Sequence, residues 1–246
     1  MASYLIIAST SDIGQSIAEL LHSAGHRLLL TGRKNDAVAA LANQLQTPFV
    51  TLDASSFEAV DHLVAKSLRE LGSLDGIVNC AGSLLLKPAH LTSSQQYHDV
   101  IEASLTTSFA VVRAAGKHLI DKGGAVVLIS SAAALTGFAN HEAIAAAKAG
   151  IIGLARSAAA SYAPYNLRFN VVAPGLVQTK LTEHLTSTLA SKKASELMHP
   201  LRRLGKPSDV ARAVQFLLEP QNSWITGQVL PVDGGLSNVK SKTVSQ

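Results

Sequence analysis

Cysteine is almost missing from this chain: Cys80 is the one cysteine in 246 residues. That excludes an intramolecular disulfide framework, fits a reducing cytoplasmic interior, and leaves Cys80 as a packing residue. Charge is also scarce, at 15% of residues, and the net charge of +4 is scattered rather than gathered in a basic arm, so nucleic-acid binding is not expected. No uninterrupted apolar run reaches the roughly 18 residues of a membrane span, so no membrane partner is expected either. The first residues, Met1-Ala2-Ser3-Tyr4, lead directly into an apolar strand pattern, without the basic and long apolar regions of a signal peptide. Internal repeats and low-complexity tracts are lacking as well.

Apolar residues are present in quantity, at 47%, and 246 residues suffice for one large core. Short apolar runs alternate with helical patterns from end to end, the arrangement of βαβ units around a parallel sheet. The runs are Tyr4 to Ala8, Arg27 to Thr31, Pro48 to Asp53, Gly76 to Asn79, Ala125 to Ser130, Leu167 to Ala173 and Gln228 to Val232. They predict a single α/β domain over residues 1–246, with a doubly wound, seven-stranded parallel sheet and helices on both faces. Ile13, Ile17 and Leu20 mark a first helix, Phe57, Val60, Val64, Leu68 and Leu71 a third, and Val210, Val214, Leu217 and Leu218 the last. A fourth helix is expected from Ser94 to Asp121 and a fifth from Ala143 to Ala163. Residues 175–205 interrupt the alternation with weak helical periodicity, and are read as a substrate-covering lid over the carboxyl ends of the strands. The polar tail from Lys240 to Gln246 is expected to fray or to dock on a neighbouring subunit.

The run Gly124-Ala125-Val126-Val127-Leu128-Ile129-Ser130-Ser131 reads as a buried strand that ends in two hydroxyls. The helix that follows carries Ile144 and Lys148, four residues apart and therefore one above the other on a single face. The pattern resembles the classical short-chain dehydrogenase/reductase family, whose signature is a serine followed by Tyr-x-x-x-Lys. Ser131 and Lys148 match, and Ile144 stands where the tyrosine belongs. The resemblance extends through Lys148-Ala149-Gly150, through Asn170-Val171-Val172-Ala173-Pro174-Gly175 and through Val232-Asp233-Gly234-Gly235, and so covers essentially the whole chain. It implies a Rossmann fold, NAD(P)-dependent oxidoreductase activity on a small carbonyl or alcohol, and a homodimer or homotetramer. The oligomer would form through the fourth and fifth helices and the segment Val232 to Leu236.

The resemblance also implies a cofactor site. The family's glycine-rich loop, Thr-Gly-x-x-x-Gly-x-Gly, ends on Gly14 and puts Ile7, Ala8 and Asp12 at its other positions, with Ser9, Ser11 and Ile13 between and beside them. Glycines serve there because the loop turns tightly and lets the backbone approach a pyrophosphate at a helix N-terminus. Ala8 is expected to fit with a negative φ, and Asp12 to turn away and cap the helix. Arg33, after the second strand, favours the 2′-phosphate of NADP(H) over NAD(H); read alone, it is equally a solvated loop charge. Asp53 matches the residue that holds the adenine. Asn79, Ala81 and Gly82 match the adenine-ribose side, while Pro174, Gly175, Val177 and Thr179 match the nicotinamide side, with Lys148 on its ribose.

In the family's chemistry the tyrosine hydroxyl moves the proton on the substrate oxygen. Lysine lowers the pKa of that hydroxyl, serine orients the carbonyl, and an asparagine anchors a relay water at the position of Ser104 here. Isoleucine has no titratable group, which removes a general acid worth about 10²- to 10⁴-fold. A substitute proton source could be His141, Tyr97, His98 or water. Two functions therefore stay open: an NADP(H)-preferring oxidoreductase with an incomplete tetrad, or an NADP(H)-binding sensor or partner subunit without turnover. Leu84, Leu85, Leu86, Leu135 and Phe138 suggest an apolar pocket wall, and no metal site is indicated.

Overall fold

Strands in an all-parallel sheet are buried on both faces, so successive residues must be apolar on both sides. β1 (Ser3–Ile7) shows this directly: Leu5 and Ile7 enter one core, Tyr4 and Ile6 the other. The computed structural model describes residues 1–240. The expected tail beyond Lys240 lies outside the described residues. β2 (Arg27–Gly32), β3 (Phe49–Thr51), β4 (Gly76–Asn79), β5 (Gly124–Ile129), β6 (Leu167–Pro174) and β7 (Val229–Val232) complete a seven-stranded sheet of order β3-β2-β1-β4-β5-β6-β7. All its pairings are parallel.

α1 (Asp12–Ser23), α2 (Asn35–Leu45) and α8 (Pro207–Leu218) cover one face. On α1 the buried stripe is Ile17, Ala18 and Leu21, so the expected Ile13 and Leu20 sit at its edges. α3 (Phe57–Leu71), α5 (Thr107–Leu119) and α6 (Glu142–Tyr162) cover the other face. By length and composition the stretch Glu142–Tyr165 could cross a membrane, yet half of it is buried here, with α6 packed on β6 and α5. Between β1 and β4 the winding reverses, and this switch opens a crevice at the carboxyl ends of the strands.

The expected fourth helix, Ser94 to Asp121, is not one regular α-helix. α4 (Ser94–Ile101) passes into a π-helical turn, Glu102–Thr106, before α5 resumes. Such a turn leaves carbonyls without their usual partners. Here Thr107 Oγ1 donates to the Ser104 carbonyl at 3.1 Å and Ser108 Oγ donates to it at 2.8 Å. Both hydroxyls in turn accept from Asn79 Nδ2 on β4, at 3.3 and 3.2 Å. The sheet itself thus holds the turn in place.

Residues 175–205 also contain more structure than their sequence pattern suggests. Val177 bridges Gly205, Gln178 N–H donates to the Gly205 carbonyl at 2.9 Å, and Gly205 N–H donates to the Leu176 carbonyl at 2.9 Å. Between these sewn ends lies α7 (Leu189–Met198), started by a Thr188–Ser191 capping box. No residue of α7 is fully buried, which explains its weak apolar periodicity.

The loop after β1 corrects one expectation. Ala8 does not keep a negative φ; it sits at +56°, in the left-handed region that penalises any Cβ. Its carbonyl accepts from Ser11 N–H at 3.1 Å and Ser11 Oγ at 2.9 Å, and lies where a Cβ on Gly14 would come within 2.5 Å. The bonds and the close approach hold Ala8 in the strained conformation. Ala8→Gly is therefore expected to raise stability by about 1 kcal/mol. Urea unfolding should show a higher midpoint with an unchanged slope; a lower midpoint would mean that the Ala8 methyl packs better than its φ suggests.

Candidate active site

One cavity of about 600 Å³ occupies the crevice. Its floor is the strand ends: Cys80, Ala81 and Gly82 follow β4, Ile129, Ser130 and Ser131 come from the end of β5, and Pro174 ends β6. The N-terminus of α1 forms one side, through Ser11, Asp12 and Ile13, and Ile144 and Lys148 of α6 form another. Gly175, Leu176, Val177, Thr179, Leu181 and Leu185 close over it from the 175–205 segment. Twelve of the residues singled out in the sequence therefore meet in one wall: Ser11, Asp12, Ile13, Ala81, Gly82, Ser131, Ile144, Lys148, Pro174, Gly175, Val177 and Thr179.

Six of the residues assigned to cofactor or catalytic positions do not line it. Ser9 is buried, with its hydroxyl donating to the Thr31 carbonyl at 2.9 Å. Gly14 serves the loop packing already described. Asn79 is committed to the π turn, and its Oδ1 accepts from Ala81 N–H at 3.1 Å, so its side chain shapes the floor from beneath. Arg33 and Asp53 lie at the strand ends beyond the cavity. Arg33 is exposed and forms no ion pair among the described residues. Asp53 is held below the usual carboxylate range by the Ser55 N–H and hydroxyl, assisted by the nearby Arg33 charge. Ser104 is behind the wall: fully buried in the π turn, its Oγ has no partner among the described residues.

At the centre, Lys148 is only 6% exposed, yet no carboxylate among the described residues pairs with it. Its Nζ donates to the Ile129 carbonyl at 3.0 Å, and its own carbonyl accepts from Ser130 Oγ at 2.8 Å. Desolvation pushes its pKa down to about 8, opposed by Cys80, whose thiol burial pushes up to about 12. A Cβ built on Gly82 would stand 2.9 Å from Lys148 Nζ and 3.7 Å from Ser104 Oγ, so glycine leaves this flank of the cavity open. Ser131 Oγ accepts from Ala133 N–H at 3.1 Å, which starts a short 3-10 turn and leaves the hydroxyl proton uncommitted.

Ile144 is 3% exposed and packs with Val100 and Ala147, flanked by Leu85, Leu86 and Ile101. Of the three side chains considered as its substitutes, only His141 reaches the cavity; its Nδ1–H donates to the Ala139 carbonyl at 2.7 Å. Tyr97 and His98 sit on the exposed face of α4, outside the wall. The expected apolar wall is present in Leu84, Leu86 and Phe138, whereas Leu85 packs on the Ile144 cluster and Leu135 is on the surface.

Asp12 behaves differently from the expected cap. Ser11 caps α1, accepting from Gly14 N–H at 3.1 Å, and Asp12 Oδ2 accepts the backbone N–H of Lys180 at 2.8 Å. The carboxylate therefore ties the 175–205 segment to the phosphate-loop position. A second anchor, unforeseen in the sequence, is His199, which is 2% exposed. Its Nδ1–H donates to the Ser195 carbonyl at 2.7 Å and its Nε2 accepts Leu176 N–H at 3.2 Å. Gly175 makes room for it, since a Cβ there would lie 2.9 Å from His199 Nε2. No periodicity or motif distinguishes this histidine from the chain's other eight; only the fold brings it to the end of β6.

Comparison with known proteins agrees with this fold. The family described as Enoyl-(Acyl carrier protein) reductase matches residues 7–237. Over 244 residues the chain is 34% identical to the 3-oxoacyl-(acyl-carrier-protein) reductase FabG of Chlamydia muridarum, spanning 95% of this chain and 96% of that protein. A short-chain type dehydrogenase/reductase from Mycobacterium ulcerans superposes with a TM-score of 0.91 at 28% identity, covering 98% of this chain and 91% of the other. ElxO with NADP bound superposes with a TM-score of 0.90 at 29% identity, covering 96% and 98%.

The Asp12 tether can be tested directly. A hydrogen bond to a charged acceptor contributes about 1.5–3 kcal/mol, so Asp12→Ala should speed amide exchange at Lys180 by roughly ten- to hundredfold. Hydrogen–deuterium exchange resolves this amide against the Ser191 amide, which is capped within α7 and should not change. Equal exchange at Lys180 in both proteins would show that the bond does not hold the segment.

Proposed function

Since this chain belongs to the classical short-chain dehydrogenase/reductase family, we propose that it is an NADP(H)-dependent reductase of a carbonyl carried on an apolar, acyl-type substrate. One observation carries the reading: a single cavity runs from the amide-rich start of α1 to the Ser131 hydroxyl and Lys148, between walls of Leu84, Leu86, Phe138, Leu181 and Leu185.

The residues fit the cofactor. The start of α1 offers N–H groups and the positive end of a helix dipole to a diphosphate. Arg33, with no ion-pair partner among the described residues, suits the 2′-phosphate, and Asp53, held ionised, suits the adenine amine. Gly82 leaves the flank beside Lys148 open for a ribose, and Pro174, Gly175, Val177 and Thr179 form the wall for the nicotinamide. The bound nicotinamide supplies hydride. Ser131, with its proton uncommitted, donates to the carbonyl oxygen and fixes its direction. The 175–205 segment acts as the lid, held by Asp12 and His199, and keeps water from the reacting centre. The 3-oxoacyl reductase relatives suggest that the carbonyl is a 3-oxoacyl thioester. A cytoplasmic location and assembly as a dimer or tetramer belong to the same proposal, the latter supported by Phe109 on α5, which is 47% exposed.

Ile144 favours a second reading, in which NADP(H) binds without turnover and the protein is a sensor or a partner subunit. Titration with NADPH and NADH, followed by nicotinamide fluorescence and thermal shift, tests the cofactor half of both. NADPH should bind more tightly, and Arg33→Ala should weaken it by about ten- to hundredfold while leaving NADH unchanged. Failure of both nucleotides to bind would refute both readings. Ile144→Tyr separates them: ketone reduction should rise by about 10²- to 10⁴-fold if substrate and cofactor are already aligned. Bound NADPH with no gain would favour the sensor.

A further inference from the structure

We infer that Lys148 is itself the proton donor for the reduced carbonyl, taking the part that Ile144 cannot play. The inference rests on the reductase reading above. It begins from what surrounds the amine. Lys148 Nζ lines the cavity and spends one N–H on the Ile129 carbonyl at 3.0 Å, which leaves two for whatever enters. Ile144, one turn earlier on the same face of α6, is packed into an apolar cluster, so no hydroxyl stands between the ammonium and the substrate space. The flank of Gly82 is open beside Nζ, and Ser104 Oγ, buried without a partner, faces the same spot.

The electrostatic surroundings keep the proton available. Cys80 is the titratable group that faces Nζ from the end of β4, and its raised pKa keeps the thiol neutral. The π turn and the end of β5 bring serine hydroxyls and a carbonyl, and the turn's own carboxylate, Glu102, is exposed. Asp12 and His141 lie in other walls of the cavity, Asp12 bound to Lys180 N–H and His141 to the Ala139 carbonyl, and His199 to Ser195 and Leu176. An amine in such an apolar setting titrates within reach of neutral pH, which is the condition for an effective general acid.

The step balances without a further reactant. NADPH held as in the preceding proposal would supply hydride to the carbonyl carbon, and the C=O π pair would move to oxygen. That oxygen takes a proton from Lys148: an N–H bond breaks, an O–H bond forms, and the amine is left neutral. Solvent that enters the cavity as product leaves recharges it.

The experiment combines two measurements. Lysine Cε resonances of the cofactor-free protein are followed by ¹³C NMR from pH 6 to 11, with Lys148 assigned by its loss in Lys148→Arg. A midpoint near 8 is expected; one near the ordinary lysine value of about 10.4 would overturn the inference whatever the turnover. In parallel, kcat/KM for NADPH at saturating acetoacetyl-CoA, which reports the cofactor-free enzyme, should be level below that midpoint and fall about tenfold per pH unit above it. Lys148→Arg, which keeps the charge but not the transferable proton, should retain bound NADPH and lose at least about 100-fold in kcat. Reduction that survives this substitution, or a level profile through the midpoint, overturns the inference and leaves the reductase reading standing. Wild-type protein that binds NADPH and reduces nothing overturns the reductase reading, and this inference with it. If Lys148→Arg does not fold, the wild-type spectra decide: a lysine Cε resonance titrating near 8 that coincides with the wild-type pH–rate midpoint supports the inference, and the lack of such a resonance overturns it.

Discussion

A parallel sheet must be covered on both faces, and in this chain that single demand determines where chemistry can occur. Helices alternate between the two sides to bury Leu5 and Ile7 on one and Tyr4 and Ile6 on the other. The winding reverses between β1 and β4, so neighbouring connections leave in opposite directions and no helix fills the gap. The residues that line the cavity are attached to the rim of that gap: α1 begins there, the strand ends of β4, β5 and β6 form its floor, and α6 brings Ile144 and Lys148 to its side. The apolar layers beneath it are not catalytic, but they hold the positions of the rim.

Within that frame Ile144 contributes packing and no proton chemistry. Isoleucine fits among Val100, Ala147, Leu85 and Leu86, a cluster that would desolvate a hydroxyl on that spot. The same burial acts on the neighbouring amine, where it favours the neutral form and so makes the proton easier to give up. A residue that the family uses to tune a partner is left in this chain facing the cavity without one.

Much of this was legible in the sequence, for a physical reason. Strand positions followed from apolar runs that must be hydrophobic on both sides, and β4 has the bounds its run predicts. Motif residues on rigid strand ends and helix starts converge as their spacing implies. What was not legible depends on contacts between distant segments. The π turn is invisible in local propensity because Asn79, on another element, stabilises it. His199 has no motif. Ala8 was expected at negative φ, and its +56° follows from bonds to Ser11 and the packing of Gly14, not from its own preference. Asp12 was expected to cap α1, but Ser11 takes that position and frees the carboxylate for the distant Lys180.

The form of that last contact has an evolutionary corollary. Asp12 accepts from the main chain of residue 180 and not from its side chain. Anchorage is thus indifferent to which amino acid occupies the anchored position, proline excepted. The covering segment can exchange its side chains, and with them the kind of molecule it admits, while its attachment to α1 persists. Specificity in this fold can drift without first loosening the structure that encloses the reaction.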